Sequence, residues 1–176
     1  MIQLHDKQFV PFLSAQEIAH AITKMTAQVE ADFKDEVPVF IGVLNGSFMV
    51  VSDFMKSYKG ACELSFVKMA SYEGTSSTNE VKELIGINQD LAGRSVVIIE
   101  DIVDTGNTIE ELHHIFSKQN VKQLKVATLF FKPEAYKKDF PIDYVGIRIP
   151  NKFIVGFGLD YDGLGRNLPE VYKLKE

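Results

Sequence analysis

Cysteine is nearly absent from this sequence of 176 residues, which contains only Cys62. A single cysteine excludes a disulfide framework and a Cys-x-x-Cys metal pair, and it is typical of a protein in a reducing compartment. No apolar run approaches the length of a bilayer-spanning helix, and the first residues lack the layout of a signal peptide. We therefore expect a soluble cytoplasmic protein with no membrane partner.

Basic residues are also in deficit, with 19 Lys and Arg against 24 Asp and Glu and a net charge of -5. This balance disfavours nucleic acid as the main partner, because the phosphate backbone binds basic surfaces. The hydrophobic content of 45% and charged content of 24% are ordinary for a globular protein. The sequence also contains no internal repeat and no long linker. We therefore predict that residues 1–176 form a single domain with a substantial core.

Helical and strand patterns alternate along the chain. A helix is predicted at 14–33, because Ser14 and Glu17 form a capping box and apolar residues recur every three or four positions. Two shorter helices are predicted at 48–55 and around 109–116, and strands at 37–44, 64–69, 95–100, 126–131, 144–149 and 153–159. The alternation predicts an α/β fold with a mainly parallel, twisted sheet flanked by helices, in which ligands bind beyond the carboxyl ends of the strands.

Three carboxylates follow the most apolar of these strands. In the stretch SVVIIEDIVDTGNT, residues 95–108, four aliphatic residues run directly into Glu100 and Asp101, and Asp104 comes soon after. With the strand predicted to end at Glu100, these acids should share one crevice with Asn45 and Lys132, which follow two other strands. Clustered carboxylates accept hydrogen bonds from sugar hydroxyls and hold Mg²⁺ through water.

The turn that follows the acids consists of Thr105, Gly106, Asn107 and Thr108. A loop of small residues at the start of a helix exposes backbone N–H groups and partial positive charge, so it suits a phosphate. A plainer alternative is that Thr108 only caps the helix, with Glu111 completing a capping box. Beside an acidic edge that suits a diol and magnesium, the turn predicts a site for a phosphorylated ribose.

Residues 95–108 resemble the phosphoribosyl-diphosphate motif of type I phosphoribosyltransferases, in particular of the hypoxanthine-guanine phosphoribosyltransferase family. The similarity covers nearly the whole chain in the family's order. Residues 43–48 resemble the diphosphate loop, residues 71–80 the mobile lid, and Lys132-Pro133 the purine-contacting lysine. Residues 149–156 resemble the base-stacking segment, while residues 159–161 and 166–169 resemble the C-terminal metal and diphosphate contacts.

The resemblance implies a purine-salvage enzyme that transfers 5-phosphoribosyl from phosphoribosyl diphosphate to a 6-oxopurine. The expected base is hypoxanthine, with guanine as a second, and the products are IMP or GMP plus diphosphate. The family passes through a ribosyl-cation-like transition state and uses Mg²⁺. The resemblance also implies a hood formed by the N-terminal segment and about 150–176, a flexible lid at about 73–80, and a homodimer or homotetramer.

The resemblance also implies a role for each matching residue. Asp104 exchanges a proton with the purine, and Lys132 donates to its 6-oxygen, which disfavours adenine because the 6-amino group is itself a donor. Phe153 stacks on the base, and the backbone near Ile154 reads its edge. The other implied contacts are Thr105, Gly106, Asn107 and Thr108 for the 5'-phosphate; Glu100 and Asp101 for the ribose hydroxyls and the magnesium shell; Asp160 for a second Mg²⁺; Arg166, Gly46 and Asn45 for diphosphate; and Ser71 and Tyr72 for the lid.

Several alternatives stand beside this interpretation. Without the family, Asp104 could simply cap the turn, Lys132 is typical of a surface charge, Phe153 of a core residue, and 73–80 of an exposed loop. Asn45 departs from the family's usual Lys or Arg, and we expect weaker phosphoribosyl diphosphate binding without loss of turnover. The fold could also serve a catalytically silent sensor of phosphoribosyl diphosphate, although this would need a basic face. A phospho-acceptor receiver domain using Asp101 would need an acidic pair at an earlier strand end, where Leu44-Asn45-Gly46 stands instead.

Overall fold

The computed structural model of the chain describes residues 1–69, 83–87 and 89–175. The predicted lid at 73–80, with Ser71 and Tyr72, therefore lies outside the described residues. In chain order the elements are β1 (Ile2–Leu4), β2 (Lys7–Leu13), α1 (Ala15–Asp32), β3 (Val39–Leu44), α2 (Phe48–Ser57), β4 (Glu63–Met69), β5 (Glu83–Ile85), β6 (Ser95–Val103), α3 (Asn107–Ser117), β7 (Gln123–Phe131), β8 (Tyr144–Arg148), β9 (Ile154–Val155) and β10 (Val171–Leu174).

A six-stranded sheet in the order β5-β4-β3-β6-β7-β8 forms the centre of the molecule. Strands β4, β3, β6, β7 and β8 run parallel, and β5 joins the edge antiparallel to β4. The predicted fold class is confirmed. The interior strands β3 and β6 are almost entirely buried, as expected for strands covered on both faces by helices.

Helices cover both faces of this sheet and bury two apolar clusters. Helix α1 begins after Ser14, whose hydroxyl accepts from the Glu17 backbone N–H at 3.3 Å while the Glu17 carboxylate accepts from the Ser14 N–H at 2.8 Å. The predicted capping box is therefore confirmed. Helices α1 and α2 pack on one face, and Ile109, Leu112 and Phe116 of α3 pack on the other.

A second, four-stranded sheet in the order β1-β2-β10-β9 joins the two ends of the chain. The sequence patterns did not predict β1, β2 or β10. The strand predicted at 153–159 is limited to β9, because the backbone turns at Gly156 and Gly158, which have φ values of 105° and 98°. Strand β10 pairs antiparallel with both β2 and β9. This sheet carries the segment with Phe153 and Asp160.

Strand β6 is longer than predicted. It continues to Val103 and pairs along that length with β7, so Glu100 and Asp101 lie within the strand and Asp104 is the first residue after it. The prediction that the strand ends at Glu100 was wrong. Among the described residues, no helix is both long and apolar enough to cross a membrane.

Candidate active site

The carboxyl ends of β3, β6 and β7 bring together most of the residues singled out in the sequence. Gly42 of β3 pairs with Ile99 of β6, and Val103 of β6 pairs with Phe131 of β7. The Lys132 backbone N–H then donates to the Val103 carbonyl at 3.0 Å. The carboxyl ends of the three strands therefore meet at this edge of the sheet, where the crevice is predicted, since all three strands run in the same direction.

Two glycines allow the loop after β3 to lie directly on the acids. The peptide between Leu44 and Asn45 is cis. A Cβ atom added to Gly46 would lie 1.7 Å from Asp101 Oδ2, and one added to Gly158 would lie 2.0 Å from the Gly46 carbonyl oxygen. Three segments distant in the sequence therefore stack on one another: β6, the loop at 45–47 and the turn at 156–159.

Glu100 and Asp101 form a buried acid pair, with 5% and 7% of their surfaces exposed. Burial raises the pKa of Asp101 from its ordinary value of 3.8 to about 6, although backbone N–H groups and the charge of Arg166 oppose this rise. Burial, the charge of Asp101 and a hydrogen bond to it raise the pKa of Glu100 well above its ordinary value. Both acids therefore bind a proton more readily than a free carboxyl group does. Their assignment to the ribose hydroxyls stays a prediction.

Asp104 and Lys132 form an ion pair at the carboxyl ends of β6 and β7. The Lys132 ammonium donates to Asp104 Oδ2 at 2.6 Å. The lysine side chain is only 8% exposed, whereas that of Asp104 is 44% exposed. The alternative in which Lys132 is a surface charge was therefore wrong. Sequence reasoning assigned these two residues to different atoms of a purine and did not predict that they contact each other.

The turn after Asp104 has the geometry of an uncapped helix start. Gly106 is the N-cap of α3 with a φ of 89°, and no side chain caps the helix. The alternative in which Thr108 is the N-cap was wrong, because the helix already begins at Asn107. The N–H groups of this first turn and the helix dipole suit an anion.

Two residues that sequence reasoning missed cover the turn. A Cβ atom added to Gly106 would lie 2.4 Å from the Tyr136 ring and 2.8 Å from the Lys138 stem. The Lys138 ammonium donates to Glu110, in the first turn of α3, at 2.6 Å. Nothing in the sequence around Tyr136 and Lys138 predicts their contact with this turn.

Asp160 and Arg166 form an ion pair within the C-terminal segment. Arg166 Nη2 lies 2.8 Å from Asp160 Oδ1, and Arg166 Nη1 donates to the Gly158 carbonyl at 2.7 Å. The other Asp160 oxygen accepts from the Gly163 N–H at 2.8 Å. Within the part of the chain that the structure describes, no three acidic, histidine or cysteine side chains gather as a metal site. The Asp160 carboxylate still suits Mg²⁺, because this ion commonly uses one or two protein carboxylates together with water and substrate phosphates.

Phe153 has 47% of its surface exposed, so the alternative in which it is a core residue was wrong. Its ring contacts Tyr161 edge-on, with centroids 5.9 Å apart, and is tilted against Phe9 at 6.2 Å. Ile154 is buried in β9, where its backbone pairs with β10. The exposed ring offers a flat apolar surface to a ligand in the crevice.

Comparisons with known proteins agree with this geometry. The family model of the phosphoribosyl transferase domain matches residues 12–162. A hypoxanthine-guanine phosphoribosyltransferase of Streptococcus pyogenes is 42% identical over 93% of this chain and 91% of its own length. A hypoxanthine-guanine phosphoribosyltransferase of Bacillus anthracis superposes with a TM-score of 0.89 at 34% identity, covering 97% of this chain and 100% of its own. A hypoxanthine phosphoribosyltransferase of Staphylococcus aureus gives a TM-score of 0.89 at 35% identity, covering 97% of this chain and 92% of its own.

Proposed function

Because the chain belongs to the phosphoribosyltransferase family, as a purine phosphoribosyltransferase of the hypoxanthine-guanine type, we propose that it converts hypoxanthine and guanine to IMP and GMP. The donor is phosphoribosyl diphosphate, diphosphate leaves, and Mg²⁺ is required. The observation that carries this proposal is the ion pair between Lys132 and Asp104, the acid that directly precedes the anion-suited turn of α3. A proton acceptor and a donor-only side chain are thus paired next to the turn to which we assign the 5'-phosphate.

The purine replaces Asp104 as the hydrogen-bond acceptor of Lys132. In the free protein the lysine ammonium has Asp104 as its partner, at 2.6 Å. A 6-oxopurine brings a carbonyl oxygen that accepts from Lys132, and Asp104 is then free to take the proton from the purine ring nitrogen. Adenine brings an amino group instead, so Lys132 either loses its acceptor or keeps Asp104, which then cannot take the proton. Such mismatches discriminate by about 10⁴-fold or more.

The sugar and its phosphate lie along β6 and the start of α3. The 5'-phosphate binds the N–H groups of residues 105–108, where no side chain caps the helix. Glu100 and Asp101 accept from the ribose hydroxyls, and the charge shared by this pair stabilises positive charge that develops on C1. The transition state is ribosyl-cation-like, with the bond to diphosphate largely broken before the base attacks.

Diphosphate binds between the loop at 45–47 and Arg166. The backbone N–H group of Gly46 donates to it, and the guanidinium of Arg166, already oriented by Asp160 and Gly158, adds charge. Asp160, and Glu100 and Asp101 through water, would hold Mg²⁺. When bound, Mg²⁺ neutralises charge on the departing diphosphate.

Purine salvage in the cytoplasm is the setting that this activity implies. Neither nucleic acid nor a membrane is needed as a partner. The homodimer or homotetramer expected from the family stays a prediction, as do the roles of Ser71, Tyr72 and the lid.

The test is an assay of the pure protein with phosphoribosyl diphosphate, Mg²⁺ and each of hypoxanthine, guanine, xanthine and adenine. Nucleotide formation is followed by chromatography, with a reaction containing EDTA as the metal control. Product from the 6-oxopurines but not from adenine supports the proposal. Absence of product from all four bases, with retained binding of phosphoribosyl diphosphate, would favour the sensor instead.

A further inference from the structure

The turn between β1 and β2 is fastened to the loop that follows Asp160. The Tyr161 hydroxyl donates to Asp6 Oδ1 at 2.7 Å, across 155 positions of sequence. His5 Nε2 lies 3.2 Å from the Asp162 carbonyl oxygen, and the Lys7 ammonium lies 5.6 Å above the Tyr161 ring. The bond to Asp6 also raises the pKa of Tyr161 to about 12, as expected for a phenol that donates to a carboxylate.

Tyr161 in turn supports the ring that we assign to the purine. The rings of Phe9, Phe153 and Tyr161 form a triangle with centroids 5.9 to 6.2 Å apart. Phe9 is fully buried, whereas Phe153 is the exposed member. The orientation of Phe153 therefore depends on an edge contact with a tyrosine whose hydroxyl end is fixed by Asp6.

The contacts of Asp160 do not include this turn. Its two carboxylate oxygens are held by Arg166 and by the Gly163 N–H, both from the C-terminal segment. The diphosphate side of the crevice is thus oriented by one set of contacts and the purine side by another. A substitution at Asp6 should therefore weaken binding of the base more than binding of the phosphates.

We propose that Asp6 is a positioning residue for the purine subsite, acting through the Tyr161 hydroxyl to hold the Phe153 ring where the base stacks. The inference rests on the proposed function, because it takes Phe153 as the ring that covers the purine. It gives the N-terminal turn a part in base binding through its contact with Tyr161.

The test compares the wild-type protein with Asp6→Ala, Asp6→Asn and Tyr161→Phe. Loss of the bond should raise the KM for hypoxanthine by about fivefold, the equivalent of one hydrogen bond, with kcat and the KM for phosphoribosyl diphosphate changed by less than about twofold. Asp6→Asn keeps an acceptor oxygen, so its KM for hypoxanthine should stay close to the wild-type value. The double variant Asp6→Ala/Tyr161→Phe should be no worse than either single change, because both remove the same bond.

Tyr144→Phe is the matched control, since it removes a tyrosine–aspartate bond of 2.6 Å to Asp32 between β8 and α1. It should lower the melting temperature and leave both KM values unchanged. If Asp6→Ala behaves like this control, the bond is merely structural and the inference fails. Equilibrium binding of IMP by calorimetry, measured on the same variants, decides the point without turnover. An inactive wild type would therefore refute the proposed function separately.

Discussion

Replacing Asp101 by asparagine should stabilise the free protein at neutral pH. Burial raises the pKa of Asp101 to about 6, so the folded chain holds this proton more tightly than the unfolded chain, in which the pKa is near 3.8. For a group whose pKa is raised on folding, the stabilisation is complete below the unfolded value and is lost as the pH rises through the folded value. Above pH 6 the native protein therefore carries an unfavourable buried charge, and Asp101→Asn removes it.

The magnitude follows from the size of that pKa change. A rise from 3.8 to about 6 corresponds to about 3 kcal/mol of unfolding free energy above pH 6. The titration of Asp101 is coupled to that of Glu100, and the charge of Arg166 stabilises the Asp101 carboxylate, so we expect a smaller net gain of about 1 to 3 kcal/mol. For a chain of this length the melting temperature should rise by about 3 to 10 °C.

The assay is thermal unfolding of both proteins at several pH values between 4 and 8, without substrates. The difference between them should be largest above pH 7 and shrink as the pH falls through 6 towards 4. The variant should also lose transferase activity, because Asp101 is assigned to the ribose hydroxyls. Stability and activity should therefore change in opposite directions.

Asp104→Asn serves as the matched control. It removes an equal charge from a neighbouring acid, but one that pairs with the nearly buried Lys132 at 2.6 Å. We expect it to destabilise the protein, since it leaves a buried ammonium without its counter-ion. A variant Asp101→Asn that is less stable than the wild type at pH 7.5, or whose difference does not depend on pH, would refute the reasoning.

Three further changes probe the crevice. Gly46→Ala places a Cβ atom 1.7 Å from Asp101 Oδ2. We expect the unfolding free energy to fall by about 1 to 3 kcal/mol in thermal unfolding and the KM for phosphoribosyl diphosphate to rise. Unchanged values would show that the loop does not rest on the acid. Asn45→Lys should lower the KM for phosphoribosyl diphosphate by restoring a charge, so an unchanged KM contradicts the idea that Asn45 weakens binding. Lys132→Met should reduce the preference for hypoxanthine over adenine by about tenfold or more in kcat/KM, and a retained preference would assign base selection to other groups.

Periodicity alone predicted the helices and the parallel strands of the main sheet. Helix α1 has a capping box and a regular apolar stripe, and β3 is a continuous apolar run, so local patterns determine both elements. The predicted end of β6 was wrong because the polar letters of Glu100 and Asp101 suggested a strand end. Pairing with β7 continues past them, and burial of two acids within a strand cannot be anticipated from composition.

The antiparallel sheet was not predicted, because its strands are short and its pairing joins the ends of the chain. Strand β2 contains Pro11, which argues against a central strand. The structure accommodates it because β1 pairs only with residues 7–9, so β2 has a single partner, β10, at that point. The register between residues 9–13 and 171–174 is a long-range choice that no local pattern records.

The sequence by itself determined that Asn45, Asp104 and Lys132 follow strands of the parallel sheet, because the carboxyl ends of parallel strands meet at one edge whatever the details of packing. The tertiary structure alone decided how those residues pair. Lys132 meets Asp104 across 28 positions, and Asp6 meets Tyr161 across 155. The acid pair at Glu100 and Asp101 owes its raised pKa values to the segments that bury it. Proximity between distant side chains and the exclusion of water are properties of packing, and packing exists only once the chain has folded.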